Sequence, residues 1–157
     1  MNVTREDLEG GKILRFLVER FDNDRTEANF ISVFRCLRDS FVWIPCRIEM
    51  SEEDKEMFSK VTAGDVVKSS GDIRLVPDIL KNEDSLFFPA FSNCEQMGED
   101  YGSHFSKIEK HFLEAMSMVL AHKDVCGIVL DAFTRPFIIS KDAFEFISKL
   151  PSEIEQV

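Results

Sequence analysis

Hydrophobic residues in the first forty positions recur at the spacing of amphipathic α-helices. Over residues 12–21 they lie on one helical face, formed by Ile13, Leu14, Leu17 and Phe21. After a polar turn a second set follows, formed by Phe30, Ile31, Phe34 and Leu37. We therefore predict two N-terminal helices that pack their apolar faces on a common core.

Short runs rich in β-branched and aromatic residues predict strands after these helices. The clearest runs are residues 41–46 (Phe-Val-Trp-Ile-Pro-Cys) and residues 86–91 (Leu-Phe-Phe-Pro-Ala-Phe). Pro45 has no N–H to donate, so we expect it at an edge, a strand end or a bulge. Residues 73–76 predict a further short strand, and residues 51–60 a short charged helix.

The strongest helical pattern lies in the second half of the chain, over residues 105–121. Its stripe consists of Phe105, Ile108, Phe112, Ala115, Met116, Val119 and Leu120. Residues 127–130 and 136–139 flank a turn and predict a β-hairpin. A last helix is predicted over residues 141–150, with Ser140 as its N-cap and a proline after its end.

Together these elements predict a single α+β domain over residues 1–157. A mixed or antiparallel sheet packs against two N-terminal helices, one long central helix and one C-terminal helix. The length of 157 residues is normal for one domain. With 44% hydrophobic and 31% charged residues, the composition is that of a folded domain and not of a disordered chain.

The net charge of −10 narrows the classes of partner. Binding to nucleic acid without sequence preference needs a basic surface, and so does binding to an anionic membrane, so neither is expected. The sequence contains no uncharged apolar run near 18 residues, and its first residues do not form a secretory signal. We expect a cytoplasmic protein.

The cysteines and histidines give no sign of a metal site. Cys36, Cys46, Cys94 and Cys126 lack the CxxC spacing of zinc and thioredoxin-like sites. Each lies in an apolar stretch, so we expect reduced, buried thiols, although spacing alone leaves a disulfide open. The three histidines would share one side of the predicted long helix, at His104, His111 and His122.

On a helix those histidines stand roughly 10 and 16 Å apart along the axis, too far for one zinc ion to bind them together. We expect half-exposed histidines at the border of the apolar stripe. The sequence also lacks the glycine-rich phosphate loops and the GxSxG turn of hydrolases. No cofactor and no metal are therefore expected, and an enzyme is less favoured than a binding module.

Two blocks of the sequence resemble a known family. The first covers residues 27–46 and includes the run Leu-Arg-Asp-Ser-Phe-Val-Trp-Ile-Pro from Leu37. The second contains Phe-Pro-Ala-Phe-Ser-Asn from Phe88, an amphipathic helix, Cys-Gly-Ile-Val-Leu-Asp-Ala-Phe from Cys126, Pro-Phe-Ile-Ile-Ser from Pro136 and a closing helix. In this order they resemble the N-terminal domain of the SseB family, named for enhanced serine sensitivity.

The resemblance covers residues 12–150 and implies an α+β fold in a bacterial, cytoplasmic setting, without implying a reaction. Where the family usually has Asn-Pro after the glycine-containing strand, this chain has Asp131 and Ala132. A role of that turn in the family is therefore not carried over to this chain. Residues 51–71 look like an insertion.

The leading functional hypothesis is a non-catalytic protein-interaction or regulatory module with an unknown protein partner. It rests on fifteen phenylalanines, against one tyrosine and one tryptophan, in a chain without a catalytic motif. The contact surface is predicted where the strand end at residues 88–92 meets the turn at residues 131–136. Its residues are Phe91, Ser92, Asp131, Phe133 and Pro136. The alternative is that Phe91, Phe133 and Phe137 close the core.

Two other classes of function stay open. A small-molecule sensor or an enzyme needs only an apolar pocket with a few polar anchors, and such a site leaves no linear motif. Its first candidate residues are Asp131, His104 and Cys94. Cys94 would supply a thiol, and His104 would be its base. A self-associating homo-oligomer is the third hypothesis.

Overall fold

Three helices precede the first strand, and the later helices are short and lie between or after the strands. The structure is a computed structural model, and it describes residues 3–49, 52, 53, 56 and 74–154. Its helices are α1 (Arg5–Leu8), α2 (Lys12–Asn23), α3 (Glu27–Asp39), α4 (Glu99–Gly102), α5 (Phe112–Leu120) and α6 (Phe144–Lys149). Its strands are β1 (Phe41–Glu49), β2 (Arg74–Pro77), β3 (Leu80–Asn82), β4 (Ser85–Ala90), β5 (Ser106–His111), β6 (Val125–Leu130) and β7 (Phe137–Ser140).

The two predicted N-terminal helices are confirmed as α2 and α3. Leu14 and Val18 bury one face of α2, while Phe34 and Leu37 bury the facing side of α3. Thr26 caps α3, since its hydroxyl oxygen accepts a hydrogen bond from the backbone N–H of Asn29 at 3.1 Å. The two helices then pack against each other as an antiparallel pair joined by a short turn.

The strands form two sheets that meet at one pair of residues. The first sheet is antiparallel, in the order β2–β1–β5, and the second is mixed, in the order β3–β4–β6–β7. In the second sheet β4 and β6 run parallel, and the other neighbours are antiparallel. Trp43 and Phe91 exchange backbone N–H···O bonds of 2.8 and 2.9 Å, and this pair joins β1 to the end of β4. The α+β class is confirmed, with two sheets in place of one.

Pro45 lies inside β1 and not at its end. On the side to which its nitrogen points, β1 pairs with Phe91 at Trp43 and with β2 from Cys46 onward. The carbonyl of Pro45 accepts a bond from the backbone N–H of Asp78 at 3.0 Å. The missing donor therefore falls where β1 changes its neighbour, a position at which the ladder has no partner for it.

The main core lies between one face of the strands and helices α2, α3, α5 and α6. Val42 and Ile44 of β1 and Ile128 and Leu130 of β6 are at most 2% exposed there. A second set of residues is buried outside this core, namely Phe91, Met97 and Val129. Phe91 begins the outer aromatic cluster, a chain of ring contacts formed by Phe91, Tyr101, Phe105 and Phe133.

Strand β6 contains a bulge at Cys126. Its register with β4 moves from Leu86–Val125 to Phe87–Gly127, so Cys126 has no opposite residue. The next residue must be glycine, because a Cβ at position 127 would overlap the carbonyl oxygen of Ile139 in β7. The bulge turns Cys126 outward, and the expectation of a buried thiol is wrong at this position.

The other three cysteines are less exposed than Cys126. Cys36 and Cys46 are buried as expected, and Cys94 is half-buried. All four are free thiols. Burial raises the pKa of the Cys36 thiol to about 11, which the hydrogen-bonding hydroxyl of Ser40 only partly opposes.

The predicted long central helix is wrong in its first third. Residues 106–111 form β5, which pairs with β1 from Phe41 to Cys46, and the helix begins at Phe112. The pairing with β1 outweighs the helical spacing of Ile108 and Phe112, because the ladder takes in six consecutive residues and satisfies those backbone groups of β5 that face β1. Lys107 and Glu109 then point to solvent on the outer face of the strand.

Because the long helix is not formed, the three histidines do not lie along one helix. His104 lies exposed in a turn after α4, and His122 lies exposed just beyond α5. His111 is the N-cap of α5, where its Nδ1 accepts the backbone N–H of Leu113 at 3.1 Å. Burial lowers the pKa of His111, and the charge of Arg38 lowers it further.

Of the remaining predictions, the hairpin β6–β7 is confirmed. A short helix, α4, occupies residues 99–102. The last helix begins only at Phe144, after a 3-10 turn, and the Ser140 side chain makes no capping bond. The predicted helix at residues 51–60 and the insertion at 51–71 lie outside the described residues, except that Glu52, Glu53 and Glu56 are helical. No helix in the described part of the chain is long and apolar enough to cross a bilayer.

Candidate functional site

The two segments predicted to meet do lie side by side. Strands β4 and β6 run parallel, and Ala90 lies opposite Leu130 at their carboxyl ends. The chain leaves the sheet here through Ser92 on one side and Asp131 on the other. The backbone N–H of Asp131 donates to the carbonyl of Ala90 at 2.9 Å. Carboxyl ends of adjacent parallel strands are a common place for a functional site, because the loops that follow them converge.

A chain of hydrogen bonds, buried between Ser92 and Asp131 and partly buried at Arg15, connects these two segments to α2. Ser92 donates to the two carboxylate oxygens of Asp131, from its backbone N–H and from its hydroxyl, each at 2.8 Å. Arg15 of α2 donates from Nη1 to the Ser92 hydroxyl oxygen at 3.0 Å and to the carbonyl of Gly10 at 2.7 Å. We call Arg15, Ser92 and Asp131 the polar clamp.

The Asp131 residue is unusual in both its backbone and its side chain. Its φ of 51° lies in the left-handed region, which aspartate enters more readily than most residues. Its side chain is only 3% exposed. Burial raises the pKa of this carboxyl, and the two bonds from Ser92 and the charge of Arg15 only partly oppose that rise.

The distance between the Ser92 hydroxyl and the Asp131 carboxylate would suit a nucleophile and its base, but both groups are buried and hydrogen-bonded to each other. A serine hydroxyl 2.8 Å from a carboxylate is within range for proton transfer. Ser92, however, is 3% exposed, and both oxygens of Asp131 accept bonds from it. No histidine in the described part of the chain is hydrogen-bonded to either residue. The arrangement therefore fixes the geometry of the turn at residues 131–136 rather than presenting a nucleophile.

The fixed turn carries an aromatic side chain at the surface. Residues 133–136 are all exposed, and the ring of Phe133 keeps 50% of its surface in solvent. Its inner side packs on the outer aromatic cluster, with ring centroids 5.8 Å from Phe91 and 4.8 Å from Tyr101. The Tyr101 hydroxyl donates to Asp78 at 2.6 Å, so the ring beneath Phe133 is itself held in place.

Of the five residues predicted as a contact surface, two are exposed. Phe133 and Pro136 lie at the surface. Phe91 is fully buried, and Phe137 is 5% exposed, so these rings close the interior as the alternative expected. Ser92 and Asp131 belong to the clamp beneath the turn. Phe91 continues the direction of β4, so its side chain lies on the opposite face from that of Ala90. Its ring therefore packs with Tyr101 and Phe133 and not in the main core.

A cleft of about 350 Å³ separates the turn from α2. Arg135 bridges its rim through contacts of 3.3 Å to Asp22 and 3.8 Å to Glu19. The Thr134 hydroxyl donates to the side-chain oxygen of Gln96 at 2.9 Å. The cleft is lined by Arg15, Val18, Glu19, Gln96, Asp131, Thr134 and Arg135. Its two arginines and two acids leave it without a net formal charge, and their contacts brace the turn from both sides.

A second cleft, of about 550 Å³, lies on the other side of the clamp. Ser92 contributes to its wall, as Asp131 and Arg15 do to the first cleft. It is lined by Arg5, Leu8, Glu9, Gly10, Asp39, Phe41, Trp43, Ser92 and Glu109. We call it the aromatic cleft, because Phe41 and Trp43 lie on one face of β1 within it.

The candidate residues for a sensor or an enzyme are not brought together. His104 is exposed in the turn after α4, while Cys94 is half-buried at the start of a 3-10 turn. Burial raises the pKa of the Cys94 thiol, which disfavours the reactive thiolate. No hydrogen bond joins Cys94, His104 and Asp131 within the described residues. No group of three metal-binding side chains is found in that part of the chain either.

The sequence did not indicate Arg15, Trp43 or Arg135 as site residues. Arg15 lies 77 positions before Ser92, and nothing in the linear pattern joins them. The one available signal was its place on α2, at the border of the apolar stripe, where a long side chain can reach a neighbouring element. Comparison of the chain with protein-family models, curated proteins and solved structures gives no match.

Proposed function

We propose that this protein is a non-catalytic interaction module of the SseB-like type, which binds a protein partner in the bacterial cytoplasm through the turn at residues 131–136. One observation carries the proposal. Phe133 is half exposed on a turn whose backbone is fixed from beneath by buried hydrogen bonds. The family and its setting come from the sequence resemblance, and the contact surface comes from this turn.

Rigidity of the turn favours binding because little conformational entropy is lost when a partner covers it. Asp131 is held by Ser92 and Ala90, and Thr134 donates its backbone N–H to the Asp131 carbonyl at 3.1 Å. The ring of Phe133 rests on Tyr101 and has few orientations left to lose. Aromatic side chains supported in this way are typical of the residues that dominate binding energy at interfaces.

The charges beside the turn indicate the chemistry of the partner. Glu95, Glu99 and Asp100 are exposed on the segment that carries Gln96 and Tyr101, the residues that contact the turn. The whole chain has a net charge of −10. A protein segment with an apolar residue next to lysine or arginine matches this surface, since complementary charge speeds association and fixes the orientation of the partner.

The test is capture of partners by the tagged protein and by two variants. Phe133→Ala removes the exposed ring of the turn, and Phe146→Ala removes a ring of similar exposure, 45%, on α6. We expect the wild type and Phe146→Ala to capture the same protein in a stoichiometric amount, and Phe133→Ala not to capture it. A photo-crosslinking phenylalanine analogue at position 133 should label the same protein, and the analogue at position 146 should not.

The control for folding is the unfolding midpoint of each variant. We expect similar midpoints for Phe133→Ala and Phe146→Ala, because each removes one half-exposed ring and no buried polar contact. Capture of the same protein by wild type and Phe133→Ala in equal amounts would contradict the proposal. A retained metabolite without any protein would also contradict it, and would favour the sensor instead.

A further inference from the structure

The aromatic cleft has the size and the lining of a small-molecule site. Its volume of about 550 Å³ lies within the usual range for such sites. It is enclosed by α1 and the following turn on one side, and by the outer faces of β1 and β5 on the other. This position is separated from the turn at residues 131–136 by the polar clamp, and no residue of that turn lines the cleft.

Two aromatic rings form the floor of the cleft. Phe41 and Trp43 are half-buried and two residues apart in β1, so both side chains point to the same face. Trp43 is the chain's single tryptophan. Its indole N–H makes no hydrogen bond to another described residue, and no buried polar atom is left without a partner there. The indole N–H therefore faces solvent in the cleft.

The charged residues at the rim are mainly acidic. Glu9 and Glu109 are exposed, and neither forms an ion pair with another described residue. Asp39 is buried, and its carboxylate already accepts bonds from Ser152 and Glu153. Arg5 is the one basic residue among the described residues that line the cleft. The two glutamates are thus available to a ligand, and they favour a positive one.

The cleft already holds one organic cation, supplied by the protein itself. The guanidinium carbon of Arg5 lies 5.0 Å from the centroid of the Phe41 ring. That distance is within the range of cation–π attraction. The neighbouring Trp43 offers a larger ring, the best of the aromatic side chains for such contacts, and no cation from the described residues lies over it. An aromatic floor beside unpaired carboxylates is the combination that recognises alkylammonium groups.

We propose that the aromatic cleft binds a small organic cation with an alkylammonium group. The cation lies against Trp43, and Glu9 and Glu109 supply the opposite charge. The protein's net charge of −10 favours entry of such a ligand. This ligand site goes beyond the proposed protein interaction, because it uses neither Phe133 nor the turn.

Tryptophan fluorescence provides the test, because the single tryptophan reports on the cleft alone. Choline is the probe, and 3,3-dimethylbutan-1-ol is its neutral counterpart of the same shape. We expect choline to change the Trp43 emission in a saturable way, with a dissociation constant of roughly 1 mM or lower by calorimetry. The neutral alcohol should bind at least about fivefold more weakly, since it lacks the cation–π and ionic contributions.

Variants show which side chains are responsible. Glu9→Gln and Glu109→Gln together should weaken choline binding about tenfold. Glu95→Gln is the matched control, because Glu95 is exposed and lies outside the cleft. The proposal is overturned if choline produces neither saturable fluorescence nor heat, if the neutral alcohol binds equally well, or if the double glutamate variant binds like Glu95→Gln. Loss of partner capture by Phe133→Ala has no bearing on any of these results.

Discussion

At the scale of single residues, Asp131 combines three features that rarely occur together. Its backbone is left-handed, its carboxyl group is buried, and both carboxylate oxygens are bonded to Ser92. A buried carboxylate is costly unless hydrogen bonds replace its hydration. Ser92 supplies those bonds, and Arg15 adds a positive charge nearby. The residue that the sequence suggested as a contact is therefore the residue that holds the turn at residues 131–136 in place.

The raised pKa of Asp131 makes stability depend on pH in a defined direction. The folded state keeps the proton at pH values where the unfolded chain, with its ordinary pKa of 3.8, has released it. The stability that this group contributes is therefore fully present below 3.8 and is lost as pH rises through the higher folded pKa. Asn is the matched replacement, since it has the same shape and tolerates a left-handed backbone.

We expect the free energy of unfolding of the wild type, minus that of Asp131→Asn, to fall as the pH rises above 3.8, the ordinary pKa of this carboxyl group. Urea unfolding of both proteins at a series of pH values measures this difference. If this difference in free energy instead rises as the pH rises, the native state favours the charged carboxylate and the pKa of Asp131 is not raised.

At the scale of elements, the start of α2 is placed by its contact with the end of β4. Gly11 lies at the N-cap of α2 with φ of 70°, and a Cβ there would come within 2.6 Å of Ser92 Cβ and Ser92 O. The neighbouring Gly10 has a similar φ of 75°, but nothing lies within 4 Å of its Cβ position. The two glycines share the same backbone requirement and differ in packing alone.

This difference gives a paired test of how α2 docks. Gly10→Ala should cost about 1 kcal/mol, the strain of a left-handed alanine. Gly11→Ala should cost a further 1–3 kcal/mol or so, because the Ser92 backbone must move away. Denaturant midpoints at constant m-value measure both. Equal losses in the two variants would show that α2 does not depend on close approach to β4.

Elements that depend on local sequence pattern could be predicted, and elements that depend on distant residues could not. Helices α2 and α3 and the β6–β7 hairpin depend on local pattern and were predicted. Strand β5 was mistaken for helix, because Ile108 and Phe112 fit helical spacing while the ladder to β1 is set by residues sixty or more positions away. Likewise, the meeting of the segments at residues 88–92 and 131–136 could be predicted, but Arg15 could not, since only the packed fold brings it to Ser92.

At the scale of the whole molecule, Asp39 ties the end of the described chain to the end of α3. Its carboxylate accepts the Ser152 hydroxyl at 2.6 Å and the backbone N–H of Glu153 at 2.8 Å. The same segment pairs with the first residues through the Val3–Ile154 bridge. A single buried carboxylate, 3% exposed, thus anchors both outer segments of the described chain.

Asp39→Ala should therefore cost about 3 kcal/mol, since hydrogen bonds to a charged group contribute about 1.5–3 kcal/mol each and part of this is recovered from water. Asp24→Ala is the control, because Asp24 is exposed and its carboxylate makes no hydrogen bond to a described residue. Urea unfolding measures both, and hydrogen exchange of the Val3 amide should accelerate only in Asp39→Ala. If both variants unfold at the same midpoint, the anchor contributes nothing to stability.

The Trp43–Phe91 pair has a consequence for how the molecule opens. Within each sheet, ladders of three to six residue pairs hold the strands together, whereas these two hydrogen bonds are the backbone connection between the sheets. Cooperative opening units usually follow supersecondary boundaries. Opening at this joint would break two backbone hydrogen bonds and leave both ladders intact, so the side-chain packing of the shared core has to hold the two sheets together there.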